Sequence, residues 1–305
     1  MAQGQKEITV TRKISDILRS NEHTGTIVRN MPREAYNAVS AMNVSTVKPG
    51  LVGSKDIDTT MIRDVYEGHR RDPSRAQQDS FDRGTLAHLI LLQPEMIPGR
   101  VAVWKGGRRV GNEWDAFERE NAGKLIMKEA DVRDVQAACR SFREVKEVND
   151  LFRPCDTELS VFWQEGDVYC KGMLDAVTRQ GECVVIDPKT IITGIDERSV
   201  RRQIEKFHYR EQLGFYKRGY ENVTGRIVDK VYLVFISLPP QRLGVRLEPI
   251  TDAALEWGAD RVLKAIKQVR HCIETDEWPV FFASGVCDLS SNEEIEIEVE
   301  DDDDE

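Results

Sequence analysis

Three side chains capable of acid, base or metal chemistry lie close together near the middle of the chain. Asp187 and Lys189 flank Pro188, and Asp175 lies twelve residues upstream. Side chains alternate along a strand, so Asp187 and Lys189 would project from the same face. If the strands carrying Asp175 and Asp187 are neighbours, their carboxylates can bind one Mg²⁺, which prefers oxygen ligands. A lysine beside that cation can stabilise the charge that develops during phosphodiester hydrolysis.

The Asp-x-Lys tripeptide has an alternative interpretation as a surface ion pair, because 31% of the residues are charged. The order of the surrounding elements favours a site. Asp175 falls on a predicted hairpin strand, and a predicted helix downstream carries Gln212 and Tyr216. These two residues are four apart and therefore share one face of that helix.

Hydrophobic patterns predict the elements that would position these residues. Residues 31–128 read as mainly helical, with the clearest helix running from near Ser80 to just before Pro94. Further helices are predicted over 130–148, around 209–220 and after Thr251, which is a suitable N-cap. Strands are predicted over 158–163 and 168–177, which Glu165-Gly166-Asp167 joins as a hairpin, and over 183–186 and 231–236. This order predicts an α/β domain with a helical N-terminal elaboration.

Composition limits the class of protein. With 305 residues and 40% apolar side chains, the chain can form a substantial core. No window has the roughly eighteen apolar residues of a membrane span, and the polar N-terminus lacks a signal-peptide core, so we predict a cytoplasmic protein without membrane contact. The six cysteines form no CxxC pair, which argues against structural zinc and iron–sulfur sites.

The formal charge of −10 comes from the C-terminus. Residues 293–305 contain ten acidic side chains and no basic one, so the remainder is neutral and can still bind nucleic acid locally. Residues 289–305 are predicted to be a disordered acidic tail. The tail either keeps the chain soluble or competes with DNA for a basic channel.

Several short motifs in this order resemble the RecE-type (exonuclease VIII-like) phage exonucleases of the PD-(D/E)XK nuclease superfamily. The resemblance covers about residues 30–285 and rests on Gly84-Thr85-Leu86-Ala87-His88, Glu158-Leu159-Ser160-Val161-Phe162-Trp163, Cys170-Lys171, Asp175, Asp187-Pro188-Lys189 and Tyr209-x-x-Gln212-x-x-x-Tyr216. It implies the PD-(D/E)XK nuclease fold, a central mixed β-sheet flanked by helices. The predicted domains are then a flexible leader over 1–30, an exonuclease domain over 31–288 and the tail.

The resemblance also implies residue roles. His88, Asp175 and Asp187 would bind Mg²⁺, for which Mn²⁺ could substitute, and Lys189 would be the catalytic lysine. Gln212 and Tyr216 would brace the site and contact DNA. Other interpretations stay open: His88 and Tyr216 could be core residues, and Glu158 could either support the metal ligands or begin an exposed edge strand.

Four cations are candidates for DNA binding. Lys171 alternates onto the face of Asp175, so it could contact phosphate or pair with the carboxylates. Lys105, Arg108 and Arg109 lie in a glycine-rich loop that could contact the DNA backbone or simply be solvated. Pro188 departs from the family, which commonly has an aliphatic residue there. Because proline has no N–H, the strand should end or lie at an edge, and the Pro188 carbonyl could still bind metal.

The function that the resemblance implies is Mg²⁺-dependent 5′→3′ hydrolysis of one strand of linear duplex DNA in phage-type recombination. The polarity comes from the resemblance alone. The resemblance also implies a homo-oligomeric ring around double-stranded DNA ends and a single-strand annealing protein as partner. The alternatives are an endonuclease of the same fold, a catalytically degenerate DNA-binding module, and an unrelated hydrolase with an accidental motif.

Overall fold

A computed structural model of the chain describes residues 23–53, 56–68, 73–152, 154–239 and 242–282. Ten strands lie within these ranges: β1 (Thr26–Arg29), β2 (Leu51–Val52), β3 (Asp56–Ile57), β4 (Val101–Trp104), β5 (Leu125–Lys128), β6 (Cys155–Glu165), β7 (Val168–Thr178), β8 (Val184–Ile191), β9 (Lys230–Ser237) and β10 (Val245–Ile250). The α-helices are α1 (Arg33–Ala38), α2 (Val44–Val47), α3 (Thr59–Tyr66), α4 (Arg75–Leu92), α5 (Ile97–Arg100), α6 (Asn112–Glu120), α7 (Glu129–Glu144), α8 (Lys146–Leu151), α9 (Glu197–Lys206), α10 (Tyr209–Thr224) and α11 (Asp252–Thr275).

The central sheet has six strands in the order β1-β6-β7-β8-β9-β10. All neighbouring pairs are antiparallel except β8 and β9, which run parallel. The predicted hairpin joins β6 to β7, with Glu165 paired to Val168 and Gly166 at φ 60° in the turn. Glycine adopts this left-handed conformation without the strain that a Cβ would introduce. The sheet is therefore mixed, as predicted.

Helices cover both faces of the sheet. One core packs α2, α10 and α11 against the sheet and includes Trp163, Phe215 and Leu255. The other core lies under α4 and α7 and includes Leu86, Phe142 and Ile186. Parallel strands such as β8 and β9 are normally covered on both faces in this way. Within the described ranges, no helix is both long enough and apolar enough to cross a membrane.

Several boundaries differ from the prediction. Helix α4 begins at Arg75 instead of near Ser80, because Ser74 and Gln77 form a capping box in which each side chain binds the other's backbone N–H. The stretch predicted as mainly helical also contains β2 to β5, including the parallel pair β4–β5. The Thr251 cap is confirmed, since its side chain accepts from the N–H of Ala254.

The predicted flexible leader over 1–30 extends too far towards the C-terminus, because its last residues belong to the sheet. Residues Thr26–Arg29 form β1 and pair with β6, from Thr26 opposite Phe162 to Arg29 opposite Leu159. The central sheet therefore starts before residue 31. Residues 1–22 and the predicted acidic tail, 289–305, lie outside the described residues.

Strand β8 continues through Pro188 to Ile191, so of the two predicted alternatives the strand does not end there but has a local edge. Pro188 pairs with Val234 of β9 on one side. On the other side, β8 pairs with β7 only at Ile186 and Val185, so no strand lies beside Pro188 there. The missing N–H is tolerated because β8 has a local edge at this residue.

Two glycines bring α10 and α11 into close contact. A Cβ at Gly258 would lie 2.4 Å from the carbonyl oxygen of Arg210, and a Cβ at Gly214 would lie 2.0 Å from that of Leu255. Both neighbours are backbone atoms of the facing helix, so they cannot move aside as a flexible side chain could. The helix pair beside the sheet therefore depends on these two glycines.

We expect Gly258→Ala to lower the free energy of unfolding by about 2 kcal/mol or more, because a methyl group there forces the two helix backbones apart. Gly84→Ala in α4 is the matched control, since its Cβ would meet only the Thr190 hydroxyl at 3.5 Å. The control should gain up to about 1 kcal/mol from the higher helix propensity of alanine. Equilibrium unfolding in urea measures both changes, and equal stabilities of the two variants would contradict this account.

Candidate active site

The site lies where β7 and β8 separate. The two strands pair at Val177 with Val185 and at Ala176 with Ile186, and there the pairing stops. Asp175 and Asp187 are the next residues on their strands beyond this last pair. A fork between the two strands thus holds both predicted carboxylates. Their proximity is also evident in the pKa of Asp187, which repulsion from Asp175 helps to raise.

Glu158 contributes a third carboxylate to this fork. In the β6–β7 register, Thr157 is opposite Ala176 and Leu159 is opposite Leu174, so Glu158 faces Asp175 across the pair. Glu158 has φ 51°, a left-handed conformation that is unusual for a residue with a Cβ. Such strain is commonly found at functional sites, where the surrounding fold maintains it. Glu158 is therefore neither an exposed edge residue nor remote from the site.

His88 reaches the fork from α4, on the side of the sheet that this helix covers. Its Nε2 lies 3.0 Å from the Pro188 carbonyl oxygen, and its Nδ1 lies 3.8 Å from Asp175 Oδ2. Burial lowers the pKa of His88 to about 4, and the charge of Lys189 acts in the same direction. A neutral ring facing a carbonyl must donate from Nε2, which leaves the lone pair of Nδ1 directed to Asp175.

Lys189 is the cation at the centre of the carboxylates. Its ammonium forms an ion pair with Asp187 and lies 3.9 Å from Asp175 Oδ2. Burial alone would lower the pKa of Lys189, but Asp187 and Asp175 outweigh burial and raise it. Lys189 is therefore charged at neutral pH. Its ammonium also lies 5.2 Å from the centroid of the Tyr209 ring, a cation–π contact.

The carboxyl groups of the fork ionise less readily than usual. Burial raises the pKa of Asp187 to about 7, although the Lys189 ammonium opposes the shift. Burial likewise raises the pKa values of Asp175 and Glu158. The positive charge of Lys189 thus does not fully offset the cost of removing three carboxylates from water. The electrostatics of the fork favour a further cation.

Side chains suited to holding that cation are present. Ligand atoms of His88, Glu158 and Asp175 all lie within 4.8 Å of one another. Asp175 Oδ2 is buried and has no hydrogen-bond donor within the described part of the chain. An imidazole nitrogen and carboxylate oxygens suit a divalent cation such as Mn²⁺ or Mg²⁺. Asp187, which we predicted as a ligand, is not in this group, because its oxygens face Lys189 and Gln212.

Gln212 links Asp187 to a lysine that the sequence reasoning missed. Gln212 Nε2 donates to Asp187 Oδ2 at 3.4 Å, and Gln212 Oε1 accepts from Lys48 Nζ at 2.7 Å. Lys48 begins a short 3₁₀ helix, Lys48–Gly50. Burial and repulsion from Lys189 lower the pKa of Lys48 to about 7. Its sequence neighbours carried no catalytic motif, so only the fold associates it with the site.

Tyr216 packs its ring against β7 at Gly172, where an added Cβ would lie 2.7 Å from the ring. The tyrosine is 8% exposed. With Gln212, His88 and Asp175, it lines a cavity of about 590 Å³. Tyr216 is therefore both a packed core residue and a residue of the site. Of the three carboxylates in the fork, Asp175 lines this cavity.

Lys171 has a different environment from the one predicted. It is 4% exposed, and its ammonium donates to the carbonyl oxygens of Tyr36 at 2.9 Å and Val39 at 2.7 Å. It also lies 4.7 Å from the Tyr36 ring centroid. These contacts attach α1 and the residue that follows it to β7. These contacts support a structural role for Lys171, which also lines the cavity, and DNA binding by it stays a prediction.

The basic loop between β4 and α6 does not line the cavity. Arg109 donates to the carbonyl oxygen of Ile126 at 2.8 Å and lies over the Trp114 ring, 5.4 Å from its centroid. Its guanidinium thus attaches the loop to β5. Lys105 and Arg108 are exposed, and DNA binding by them stays a prediction.

Comparison with known proteins agrees with this architecture. The family described as "PDDEXK-like domain of unknown function (DUF3799)" matches residues 66–293. No curated protein matches the sequence. A solved structure from Eubacterium rectale, named "Putative exonuclease", has 12% identity and a TM-score of 0.56 over 88% of this chain and 100% of that one.

Two further structures are too dissimilar to carry an argument. SSO0001 has 18% identity and a TM-score of 0.25, over 55% of this chain and 81% of that one. VC1899 from Vibrio cholerae has 14% identity and a TM-score of 0.22, over 66% and 52%. The predicted PD-(D/E)XK fold rests instead on the family match, which spans most of the chain and includes the fork. The chain belongs to the PDDEXK-like family.

Proposed function

We propose that the chain is a metal-dependent nuclease that hydrolyses phosphodiester bonds in DNA. One observation carries the proposal: the fork between β7 and β8 gathers Asp175, Asp187 and Lys189 beside Glu158 and His88. Carboxylates, an imidazole and an ammonium gathered in one place are the groups that phosphodiester hydrolysis requires, and Asp175, His88 and Lys189 line the cavity. The family match supports the same conclusion.

Each side chain has a distinct role in this proposal. His88, Glu158 and Asp175 would hold the cation, and a cation bound there would supply polarisation of the phosphate and activation of a water. Lys189 remains protonated between Asp187 and Asp175 and places its positive charge beside the reacting phosphate. Gln212 orients Asp187 through its amide. Tyr216 braces β7 and lines the cavity that receives the substrate.

We further propose that the enzyme is a 5′→3′ exonuclease acting on ends of linear duplex DNA, as part of phage-type recombination. The RecE-type motifs support this, as does the name of the Eubacterium rectale structure. The same resemblance supports a ring-shaped homo-oligomer, an annealing protein as partner, and Mg²⁺ as the resident metal. Polarity and assembly rest on the resemblance and not on the geometry of the fork.

An endonuclease of the same fold and a degenerate DNA-binding module are the alternatives. Linear duplex DNA labelled at either the 5′ or the 3′ end, with a covalently closed circle beside it, separates all three. Metal-dependent release of nucleotides from the 5′ ends alone supports the proposal. Cutting of the circle would identify an endonuclease, and binding without cleavage would identify the degenerate module.

We expect Lys189→Ala to reduce the rate of DNA cleavage by about 10²–10³-fold, because it removes the charge beside the phosphate. Lys230→Ala is the matched control, since Lys230 lies on the adjacent strand and its ammonium is paired with Glu182 at the surface. Initial rates on labelled linear duplex with Mg²⁺ give both values, with melting temperatures recorded alongside. Wild-type activity in a folded Lys189→Ala protein would exclude this lysine from catalysis.

Glu158→Gln should weaken Mn²⁺ binding by about tenfold or more, because an amide oxygen carries no net charge to attract the cation. Isothermal titration of the metal into the protein measures the affinity without any nuclease assay. Glu182→Gln provides a control in the loop between β7 and β8, where Glu182 pairs with Lys230 at the surface. If Glu158→Gln binds Mn²⁺ as tightly as the control, then Glu158 is not a ligand.

Mn²⁺ affinity should fall as the pH is lowered from about 8 to about 6. Protons then compete with the metal for the carboxyl groups of Glu158 and Asp175, whose pKa values burial raises. The neighbouring Asp187, whose pKa is raised to about 7, takes up a proton within this range and removes a negative charge beside the metal. His88 has a pKa of about 4 and stays neutral over this range, so it adds no competing proton. The loss should be up to about tenfold per pH unit for each proton displaced. An affinity independent of pH would show that the carboxyl groups are already ionised without metal.

A further inference from the structure

Helix α9 presents a row of cations to solvent. Arg198, Arg202 and Lys206 follow one another at intervals of four residues and are all exposed. The buried residue Val200 and the partly buried Ile204 lie on the opposite face of the helix. Residues four apart lie about 6 Å apart along a helix axis, so the three cations form a straight row.

The two arginines of this row are available to bind an anion. Within the described ranges, the side chains of Arg198 and Arg202 form neither an ion pair nor a hydrogen bond. The exposed Glu205 of the same helix lies 3.5 Å from Arg201, which is not part of the row. Without residues 293–305 the chain is neutral, so an unpaired basic row is a local feature and not a general property of the surface.

Aromatic rings connect the row to the catalytic lysine. Phe207, the residue after Lys206, is 38% exposed and stacks on Tyr209, with ring centroids 5.7 Å apart and planes inclined by 22°. Tyr209 in turn lies against the ammonium of Lys189. Lys206 lies 5.5 Å from the centroid of the Phe207 ring. A continuous series of contacts therefore leads from the fork to the row on α9.

A strained residue fixes the bend between α9 and α10. His208 has φ 52°, and its Nδ1 lies 3.0 Å from Glu211 Oε1. Arg261 of α11 donates to the same oxygen at 2.8 Å. The buried Glu211–Arg261 pair anchors His208 in its left-handed conformation. Phe207 is thus held at the surface beside Tyr209.

We propose that the cationic row and Phe207 form a track for the DNA strand that adjoins the scissile phosphate. Arg198, Arg202 and Lys206 bind successive backbone phosphates, and Phe207 stacks on a base. Stacking on an aromatic ring tolerates every base, so the track suits an enzyme that must move along DNA regardless of sequence. This inference rests on the proposed nuclease function, because the track ends at Lys189.

The test compares the affinities of the variants for a fluorescent duplex with a single-stranded overhang, measured by anisotropy without added metal over a range of salt concentrations. Arg198→Gln/Arg202→Gln removes two cations from the row. Arg133→Gln/Arg140→Gln is the matched control, because it removes two exposed arginines from α7, a helix on the other face of the sheet. Arg198→Lys/Arg202→Lys keeps the charge and shows whether folding, and not charge, causes any loss.

We expect the α9 glutamine variant to bind about tenfold or more weakly, and its log–log salt slope to fall by about 1.4 to 1.8 for two lost phosphate contacts. The control and the lysine variant should keep nearly the wild-type slope. Phe207→Ala should weaken binding by about tenfold at an unchanged slope, because stacking releases no counterions. Wild-type affinity and slope in the α9 glutamine variant would overturn the track.

Cleavage of linear duplex by the same proteins separates the two proposals. If the wild type cleaves DNA and the α9 glutamine variant binds and cleaves equally well, the track is wrong and the nuclease function stands. If the wild type neither binds nor cleaves DNA under any metal condition, both proposals fall. Weaker binding by the α9 glutamine variant with the salt response described above supports the track.

Discussion

The cost of removing three carboxylates from water governs this structure. Glu158, Asp175 and Asp187 share the fork between β7 and β8, where little water is available to screen them. Each has a raised pKa, which measures the cost of ionising it there. Lys189 offsets part of this cost. A divalent cation between Glu158, Asp175 and His88 would offset more, so the fold is built to favour metal binding at this point.

The surrounding scaffold keeps the fork open. Pro188 tolerates the missing neighbour because it has no N–H to satisfy, and its carbonyl binds His88. Gly172 leaves room for the ring of Tyr216, and Gly258 lets α11 pack closely on α10. The site is therefore an opening in the sheet. Elsewhere, helices pack against both faces of the sheet.

Charge is distributed to suit a polyanionic substrate. The chain carries −10 overall, yet Lys48 and Lys189 converge on the fork, and α9 presents its exposed row nearby. In the proposed function, the acidic residues hold the metal and the basic residues meet the phosphates, so opposite charges are separated over a short distance. Tyr209 lies between these regions and contacts the ammonium groups of both lysines. The proposed nuclease activity and the proposed track follow from the same arrangement.

Turn chemistry and ordered motifs are local signals, and they were enough to predict the hairpin, the strand that carries Asp187 and the candidates Asp175, Lys189 and His88. The capping box that starts α4 was equally local and could have been found. Tertiary structure alone decided that Glu158 joins the metal group, since its left-handed backbone places it opposite Asp175. It also decided the position of Lys48, 164 residues before its partner Gln212 in the sequence. Contacts across such separations depend on how strands and helices pack, and no short motif encodes that packing.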